Sequence, residues 1–394
     1  MLGPLAGIRV LDLTANISGP CATMILAQLG AEVVKIERPG SGDEARSMGP
    51  LSDDGWSAYF LAINRGKQSI AIDLSQPEGV ALVLRLARQA DVFVENFRGG
   101  KADGMGLSEA ALRAENPTII YASLSAFGPR GPDREKPGYD ALVQARTGIQ
   151  SVTGEPGTAG ARAGVSVLDM GSGMWVALGI LAGLLERTRS GRGTRVDGSL
   201  YQSGVMWMAY HLIARQITGR DPAPQGTRIG AFAPYGDFAT ADSRVLIGIS
   251  NDRLFARLCD SLGRAELASD PRFAKNPQRV ENRDALDREI ESTLCTRTTA
   301  AWLEHFDAAG IPASQIQSAG DVLTDPQLAA LGQMQALAEI DGFAPGLPIE
   351  LAGFSPPHAA CPRVGQHTAE ILRSSGFSGD EIRELAGRGI IAIG

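Results

Sequence analysis

Histidine and cysteine are scarce in this chain, four of each in 394 residues. Cys21, Cys259, Cys295 and Cys361 stand far apart, so there is no Cys-x-x-Cys metal or redox motif. His211, His305, His358 and His367 form no His-x-x-x-His pair and have no neighbours that suggest a triad, so a zinc site is not expected and they read as structural or exposed. Net positive charge is also missing: the formal charge is −7, which argues against wholesale binding of nucleic acid or an anionic membrane. The longest apolar run, Met174 to Leu185, is shorter than a membrane span. The stretch "MLGPLAGIRVLDLT" lacks the charged-then-apolar build of a signal peptide. These absences lead to the expectation of a reduced, cytoplasmic protein with neither nucleic-acid nor membrane partners.

What the chain has in excess is glycine, 48 residues without a collagen-like period, which implies many tight turns and close backbone approaches. In the first half, short apolar runs without alternation are separated by helical stretches: "GIRVLDLT" (7–14), "AEVVKIE" (31–37), "SIAIDLS" (69–75), "DVFVEN" (91–96) and "TIIYASLS" (118–125). That pattern belongs to a parallel sheet covered on both faces, so the fold class is α/β, doubly wound. A helix from Met174 to about Arg187 is apolar on nearly all sides and is expected to be buried, and another is expected from Leu200 to Ile217. Residues 218–228 read as a linker. Residues 229–315 change character to a hairpin and three amphipathic helices, a smaller α+β unit.

In "VSVLDMGSGM" (165–174), one carboxylate, Asp169, interrupts an apolar run before an apparent Gly-Ser-Gly turn. It reads as a helix N-cap, with Ser172 as a competitor, or as a nucleophile. As a nucleophile it would be kept ionised by the helix dipole and free N–H groups, Gly171 and Gly173 would admit an acyl group, and their N–H groups would stabilise an oxyanion. The local residues leave both readings open.

The turn after the first strand, "TANISGP", has no Gly-x-Gly-x-x-Gly, which disfavours a nicotinamide cofactor. Three loops carry basic residues: Arg38, then Arg65 and Lys67, then Arg98 and Lys101. As a cluster they would suit a polyphosphate ligand, and as single charges they would be solvated. "DREKPGYD" (133–140) sets Lys136, Tyr139 and Asp140 after a Pro-rich turn, which also reads as a plain loop with a partly buried Tyr.

Taken together, "GPCATMILAQLGAEVVKIERPGSGD", "NRGKQSIAIDL", "ADVFVENFR", "KPGYD", "DMGSGM", "LLERTRSGRGTRVDGSL" and "RVGQHTAEIL" resemble the class III (CaiB/BaiF-like) CoA transferases. This family includes formyl-CoA transferase and carnitine CoA-transferases, and the resemblance covers nearly the whole chain.

The resemblance implies a Rossmann-like large domain (1–217 with 316–394), a small domain (229–315) and an interlocked homodimer. It implies coenzyme A or acyl-CoA as substrate, with no metal and no redox cofactor. It makes Asp169 the acyl-accepting nucleophile, passing through a mixed anhydride and an aspartyl-CoA thioester.

It also assigns the CoA contacts. Ile17 and Ser18 follow the first strand, and Arg38 lies by the phosphates. Ile72, Asp73, Leu74 and Ser75 line the adenine side. Asn96, Phe97 and Arg98 follow the fourth strand, and Lys136 or Pro137, with Tyr139 and Asp140, sit near the pantetheine.

Two departures stand out. Gly104 replaces a common Arg or Lys, which Lys101 or Arg98 would have to cover. "GTRIGAFAPYG" replaces the glycine-only loop of formyl-CoA transferases, which points away from oxalate; "IGAFAPYGDF" is closer to relatives that use succinyl-CoA and branched dicarboxylates. The alternatives are an α-methylacyl-CoA racemase, disfavoured because Tyr139 stands where those enzymes have His, and a silent CoA-binding protein.

Overall fold

The structure, a computed structural model, describes residues 3–356 and 360–394, so His358 lies outside the described residues. Two compact units divide the chain. The first takes residues up to Ile149, Ala163–Ile213 and everything from Ala329 on; the second takes Gln150–Arg162 and Ala214–Leu328.

The first unit is built on β1 (Arg9–Leu13), β2 (Glu32–Glu37), β3 (Lys67–Ile72), β4 (Val92–Glu95), β5 (Ile120–Ser125) and β6 (Arg195–Ser199). They lie side by side in the order β3-β2-β1-β4-β5-β6, all parallel, and Ile391–Ala392 adds an antiparallel edge to β3. This is the doubly wound α/β sheet expected from the sequence. The strand order reverses between β1 and β4, which opens a crevice at their carboxyl ends where ligands of such sheets bind.

The helices along the chain are α1 (Ser18–Gln28), α2 (Ala58–Ile63), α3 (Pro77–Ala87), α4 (Lys101–Gly104), α5 (Glu109–Glu115), α6 (Asp140–Thr147), α7 (Ile149–Val152), α8 (Val167–Ser190), α9 (Leu200–Trp207) and α10 (Ala209–Thr218). Successive strand residues feed opposite faces of the sheet. Val10, Val33, Val92 and Val94 share one core with Ala22 and Leu26 of α1 and Val176 and Ile180 of α8. Leu11, Val34, Phe93 and Tyr121 share the other with Leu82 of α3, Leu112 of α5 and the C-terminal Ile371 and Ile382. Burial on both faces is why these strands read as apolar runs without alternation, interrupted where a buried Asp12, Lys35 or Ser69 has its own partners.

Four local expectations need correction. β6 lies in "TRVDGS", outside the strands expected above; its residues are mostly polar and half exposed, so hydrophobicity does not mark it. The run from Leu200 to Ile217 is two helices, divided at Met208. Gly171, Ser172 and Gly173 are not a turn but lie inside α8. Nor is α8 buried all round: Met174, Trp175, Leu178 and Leu185 are 42–59% exposed, so one of its faces is uncovered. At 24 residues α8 exceeds the run that marks it, and by length and composition it is long enough to cross a membrane. Here it packs along α1, where a Cβ on Gly173 would lie 2.6 Å from the Ser18 carbonyl oxygen and 2.9 Å from the Cys21 Cβ.

The second unit holds a three-stranded antiparallel sheet, Tyr235–Ala239, Arg244–Gly248 and Ala313–Gln315. Amphipathic helices Asp252–Ser261, Arg283–Leu294 and Thr299–Ala309 bury Phe255, Leu286, Ile290, Trp302 and Phe306 with Phe238, Val245 and Ile247 of the sheet. A fully buried Arg279 ties this core together, donating to the Ala233 and Phe273 carbonyls at 2.7 and 3.0 Å and to Asp252 at 2.9 Å.

Candidate active site

A helix starts with N–H groups that lack intrahelical partners. In α8 three of the four, those of Val167, Leu168 and Asp169, are taken, and that of Ser166 has no partner among the described residues. Val167 N–H donates to the Val165 carbonyl at 2.8 Å and Met170 N–H to that of Ser166 at 3.0 Å. Leu168 and Asp169 N–H both donate to Asp140 Oδ2, at 2.7 and 3.1 Å. Ser166 holds the cap position without a side-chain bond, and Ser172 turns its hydroxyl back to the Leu168 carbonyl at 2.7 Å. The cap is therefore Asp140, a buried residue from 28 positions upstream of Leu168, and neither Asp169 nor Ser172 serves. Gln144, one turn along α6, donates to the other Asp140 oxygen, and its own carbonyl accepts from Ala163 N–H at 2.8 Å.

This frees the Asp169 side chain. Among the described residues nothing donates a hydrogen bond to its carboxylate. Burial, then the charge of Asp140, push its carboxyl up to about 7. The ordinary aspartate pKa expected from the sequence does not hold, because burial and the Asp140 charge act on a carboxylate that receives no hydrogen bond from the described residues.

Cys21 of α1 lies beside it, Sγ 3.9 Å from the Met170 carbonyl; burial raises this thiol to about 11, so it is neutral. Gly171 and Gly173 lie past the first turn, where a helical N–H donates to the carbonyl four residues back, so they are not spare oxyanion donors. Their contribution is room, for Trp207 beside Gly171 and for α1 beside Gly173.

The loops at the carboxyl ends of β1 to β5 carry the other expected residues. Ile17 and Ser18 begin α1, and neither Ser18 N–H nor Gly19 N–H has a partner among the described residues. Exposed Arg38 follows β2 and acts on Asp73, whose carboxyl it helps lower after the main cause, hydrogen bonds from Ser75. Ile72 ends β3 in the core, and Asp73 closes the next turn by accepting from Ser75 N–H and Oγ at 2.9 and 2.7 Å, with Leu74 packed half-buried inside.

Asn96 uses its side chain on the protein itself, holding the Ala15 peptide. Phe97 N–H donates to buried Glu95 at 2.8 Å, and burial raises that carboxyl to about 6. Arg98 is exposed, and Lys101 Nζ stands 4.9 Å over the Phe97 ring. At Gly104 a Cβ would meet nothing within 4 Å. Lys136 pairs with Asp133 at 2.6 Å, Pro137 is exposed, and Tyr139 is 65% exposed directly before α6.

Two of the basic residues do not join this edge. Arg65 and Lys67 sit at the amino end of β3 and are consumed inside the fold. Lys67 is buried against Asp12 at 3.0 Å, the Pro20 carbonyl at 3.0 Å and Asn64 at 2.9 Å; Arg65 donates to the Pro345 carbonyl at 2.6 Å. Burying these charges requires such partners, so of the five basic residues singled out in these loops only Arg38, Arg98 and Lys101 are exposed. Gln144 and Glu95 were missed from the sequence. The four-residue step from Asp140 to Gln144 was a readable signal, whereas Glu95 looked like any strand end. Among the described residues no group of three or more His, Cys, Asp or Glu could hold a metal ion.

The sequence model of CoA-transferase family III matches residues 5–368. The chain belongs to CoA-transferase family III. This family III member is a transferase acting on an acyl-CoA and a carboxylate. It is 38% identical to the acetyl-CoA:oxalate CoA-transferase of Acetobacter aceti, over 94% of this chain and 95% of that one. It is equally 38% identical to the mouse (Mus musculus) succinyl-CoA:glutarate CoA-transferase, over 94% of this chain and 86% of that one. Among solved structures, a CAIB/BAIF family protein from Brucella suis superimposes with a TM-score of 0.85 at 34% identity, covering 95% of this chain and all of that one. The Mycobacterium tuberculosis protein Rv3272 gives the same TM-score at 33% identity, covering 94% and 99%.

Proposed function

We propose that this family III transferase moves CoA by covalent catalysis on Asp169. The observation that carries the reading is a carboxylate beside a helix terminus that receives no hydrogen bond from the described residues. An anion without donors is a stronger nucleophile than a solvated one, and the apolar walls limit hydrolysis.

One Asp169 oxygen attacks the donor thioester carbonyl, the C–S bond breaks, and CoA leaves as thiolate from an acyl-aspartyl anhydride. The thiolate attacks the aspartyl carbonyl and the donor acid leaves as carboxylate, giving an aspartyl-CoA thioester. The acceptor carboxylate then attacks that thioester, releasing thiolate and forming a second anhydride. Thiolate attack on the acceptor acyl carbon yields the new acyl-CoA and restores Asp169. The sum needs no proton, metal or redox cofactor. The Ser18 and Gly19 N–H groups, rather than those of Gly171 and Gly173, are the donors offered to the oxyanion.

Arg38, Arg98 and Lys101 would hold the CoA phosphates, with Ile17, Ile72, Asp73, Leu74, Ser75, Asn96 and Phe97 shaping the crevice. Lys136, Pro137 and Tyr139 would flank the pantetheine. The acceptor is a short dicarboxylic acid, the class shared by the oxalate, glutarate, citramalate and mesaconate of the relatives' names. Succinyl-CoA is the leading donor, supported by those names and by the "IGAFAPYGDF" stretch.

The working form is a homodimer with interlocked chains, which would cover the apolar face of Met174, Trp175, Leu178, Met206, Trp207 and Tyr210, each exposed by 41–69%. Four free cysteines suit a reducing cytoplasm.

The test is exchange of labelled CoA between esters and acids, with hydroxylamine trapping after exposure to succinyl-CoA. A hydroxamate on Asp169 is expected, with exchange abolished in Asp169→Ala. Undiminished exchange in that variant refutes the reading. Deuterium uptake at the α-carbon without exchange identifies a racemase, and CoA binding with neither activity identifies a silent protein.

A further inference from the structure

We infer that Asp140 is the positioning residue that makes Asp169 reactive, rather than a wall of the pantetheine channel. The inference rests on Asp169 being the nucleophile.

The geometry supports a role toward Asp169. Asp140 Oδ2 takes the N–H groups of both Leu168 and Asp169, at 2.7 and 3.1 Å. These two N–H groups belong to the positive end of the helix, which would otherwise be open to stabilise a nearby carboxylate. With them occupied, the Asp169 side chain has no local anchor among the described residues. Asp140 is itself held in place: Gln144 grips its second oxygen and is fixed in turn by Ala163 N–H at 2.8 Å. Asp140 thus joins the start of α6 to the head of α8, and Gln144 ties in the loop at Ala163.

The second element of the inference is charge. Asp140 sets a like charge behind Asp169. The other titratable group facing Asp169 is the Cys21 thiol from α1, which is neutral, with buried Lys67 acting on that thiol from behind. In both the anhydride and the thioester, Asp169 carries no charge. The repulsion therefore exists in the free enzyme and disappears in each covalent intermediate. Asp140 raises the energy of the resting carboxylate and favours acylation, a form of ground-state destabilisation built from two named groups.

Asp140→Asn keeps an amide oxygen able to accept from both N–H groups but brings no charge; because its Nδ2 then faces the Gln144 amide, Gln144→Ala is assayed beside it as the control for losing that contact alone. The full chain is assayed with succinyl-CoA and glutarate or another accepted dicarboxylate. In the wild type the acid limb of kcat/KM is expected near pH 7. In Asp140→Asn it should move down by about one pH unit, with a roughly 10- to 100-fold lower rate at pH 8 and less aspartyl-CoA trapped at steady state. Asp140→Glu, which restores the charge, should keep the limb near its wild-type position.

An unshifted limb in Asp140→Asn overturns the inference and leaves only a cap. Should that variant fail to fold, the wild type still decides: 13C-aspartate titration with the Asp169 resonance in the ordinary aspartate range overturns it. Exchange persisting in Asp169→Ala would instead sink the nucleophile assignment, and no result from the Asp140 variants imitates that.

Discussion

The Asn96 side-chain amide grips the Ala15 peptide at both ends: Ala15 N–H donates to Oδ1 at 2.9 Å and Nδ2 donates to the Ala15 carbonyl at 2.8 Å. The next residue, Asn16, is the one non-glycine with positive φ among the described residues, 65°, and its N–H is held by Asp43 at 2.9 Å. Buried Lys35 reaches both the Thr14 carbonyl, at 2.7 Å, and Asp43, at 2.8 Å. Together they fix the loop that presents Ile17 and Ser18. Asn96→Leu removes both peptide contacts, so the KM for acyl-CoA is expected to rise about tenfold, with a smaller fall in kcat. Steady-state kinetics check this, and an unchanged KM would refute the loop's role.

Gly104 is exposed, and a side chain there would meet nothing. Gly104→Arg should therefore fold normally and add a cation beside Arg98 and Lys101. The expected outcome is a roughly three- to tenfold lower KM for acyl-CoA with a steeper salt dependence. Measuring KM at low and high ionic strength tests it; no gain at either would show that the CoA phosphates do not pass this loop.

Gly173 and Gly171 predict different costs. A Cβ on Gly173 meets backbone of α1, the Ser18 carbonyl at 2.6 Å and the Ala22 nitrogen at 3.2 Å. Gly173→Ala should thus lower stability by about 1–3 kcal/mol and reduce activity by prising α1 from α8. A Cβ on Gly171 meets a Trp207 ring edge at 3.0 Å, which can tilt away, so Gly171→Ala should cost less. Chemical denaturation of the two variants orders them, and equal losses would contradict the packing argument.

The raised carboxyl of Asp169 also predicts a pH effect on stability. Its folded value, about 7, lies above the ordinary aspartate value, so the folded chain binds the extra proton between roughly pH 4 and pH 7. Its contribution is favourable below that window and is lost as the pH rises through it. Asp169→Asn should therefore be more stable than the wild type at pH 8, by about 1–2 kcal/mol, and nearly equal to it at pH 4.5. Thermal unfolding at the two pH values checks this; the same difference at both would exclude a strained carboxylate.

The sequence made β1 to β5 legible because burial on both faces keeps apolar residues such as Val10, Leu11, Val33, Val34, Val92 and Phe93 next to one another without alternation. It concealed β6, where exposed Arg195 and Asp197 and a single apolar residue, Val196, leave no apolar run to read. Asp169 was legible as an isolated carboxylate in an apolar run. Its cap was not, because Asp140 reaches it across 28 residues of chain that no local pattern measures. For the same reason "GSG" read as a turn: glycine serves equally for bending a chain and for letting two helices touch, and only the position of α1 decides between them.

The antiparallel pairing of Ile391 with Ile72 has a consequence for biosynthesis. The partners are separated by about 320 residues of chain, so this contact carries a high loop-closure cost and forms late. While the ribosome is still making the intervening segments, the outer rim of β3 is an open template for another nascent chain. The Asp73 peptide, which donates to the Ile390 carbonyl at 2.8 Å once the tail arrives, is unsecured until then. Yield of soluble enzyme should therefore depend on how quickly the tail docks, and substitutions at Ile390 or Ile391 should appear first as inclusion bodies.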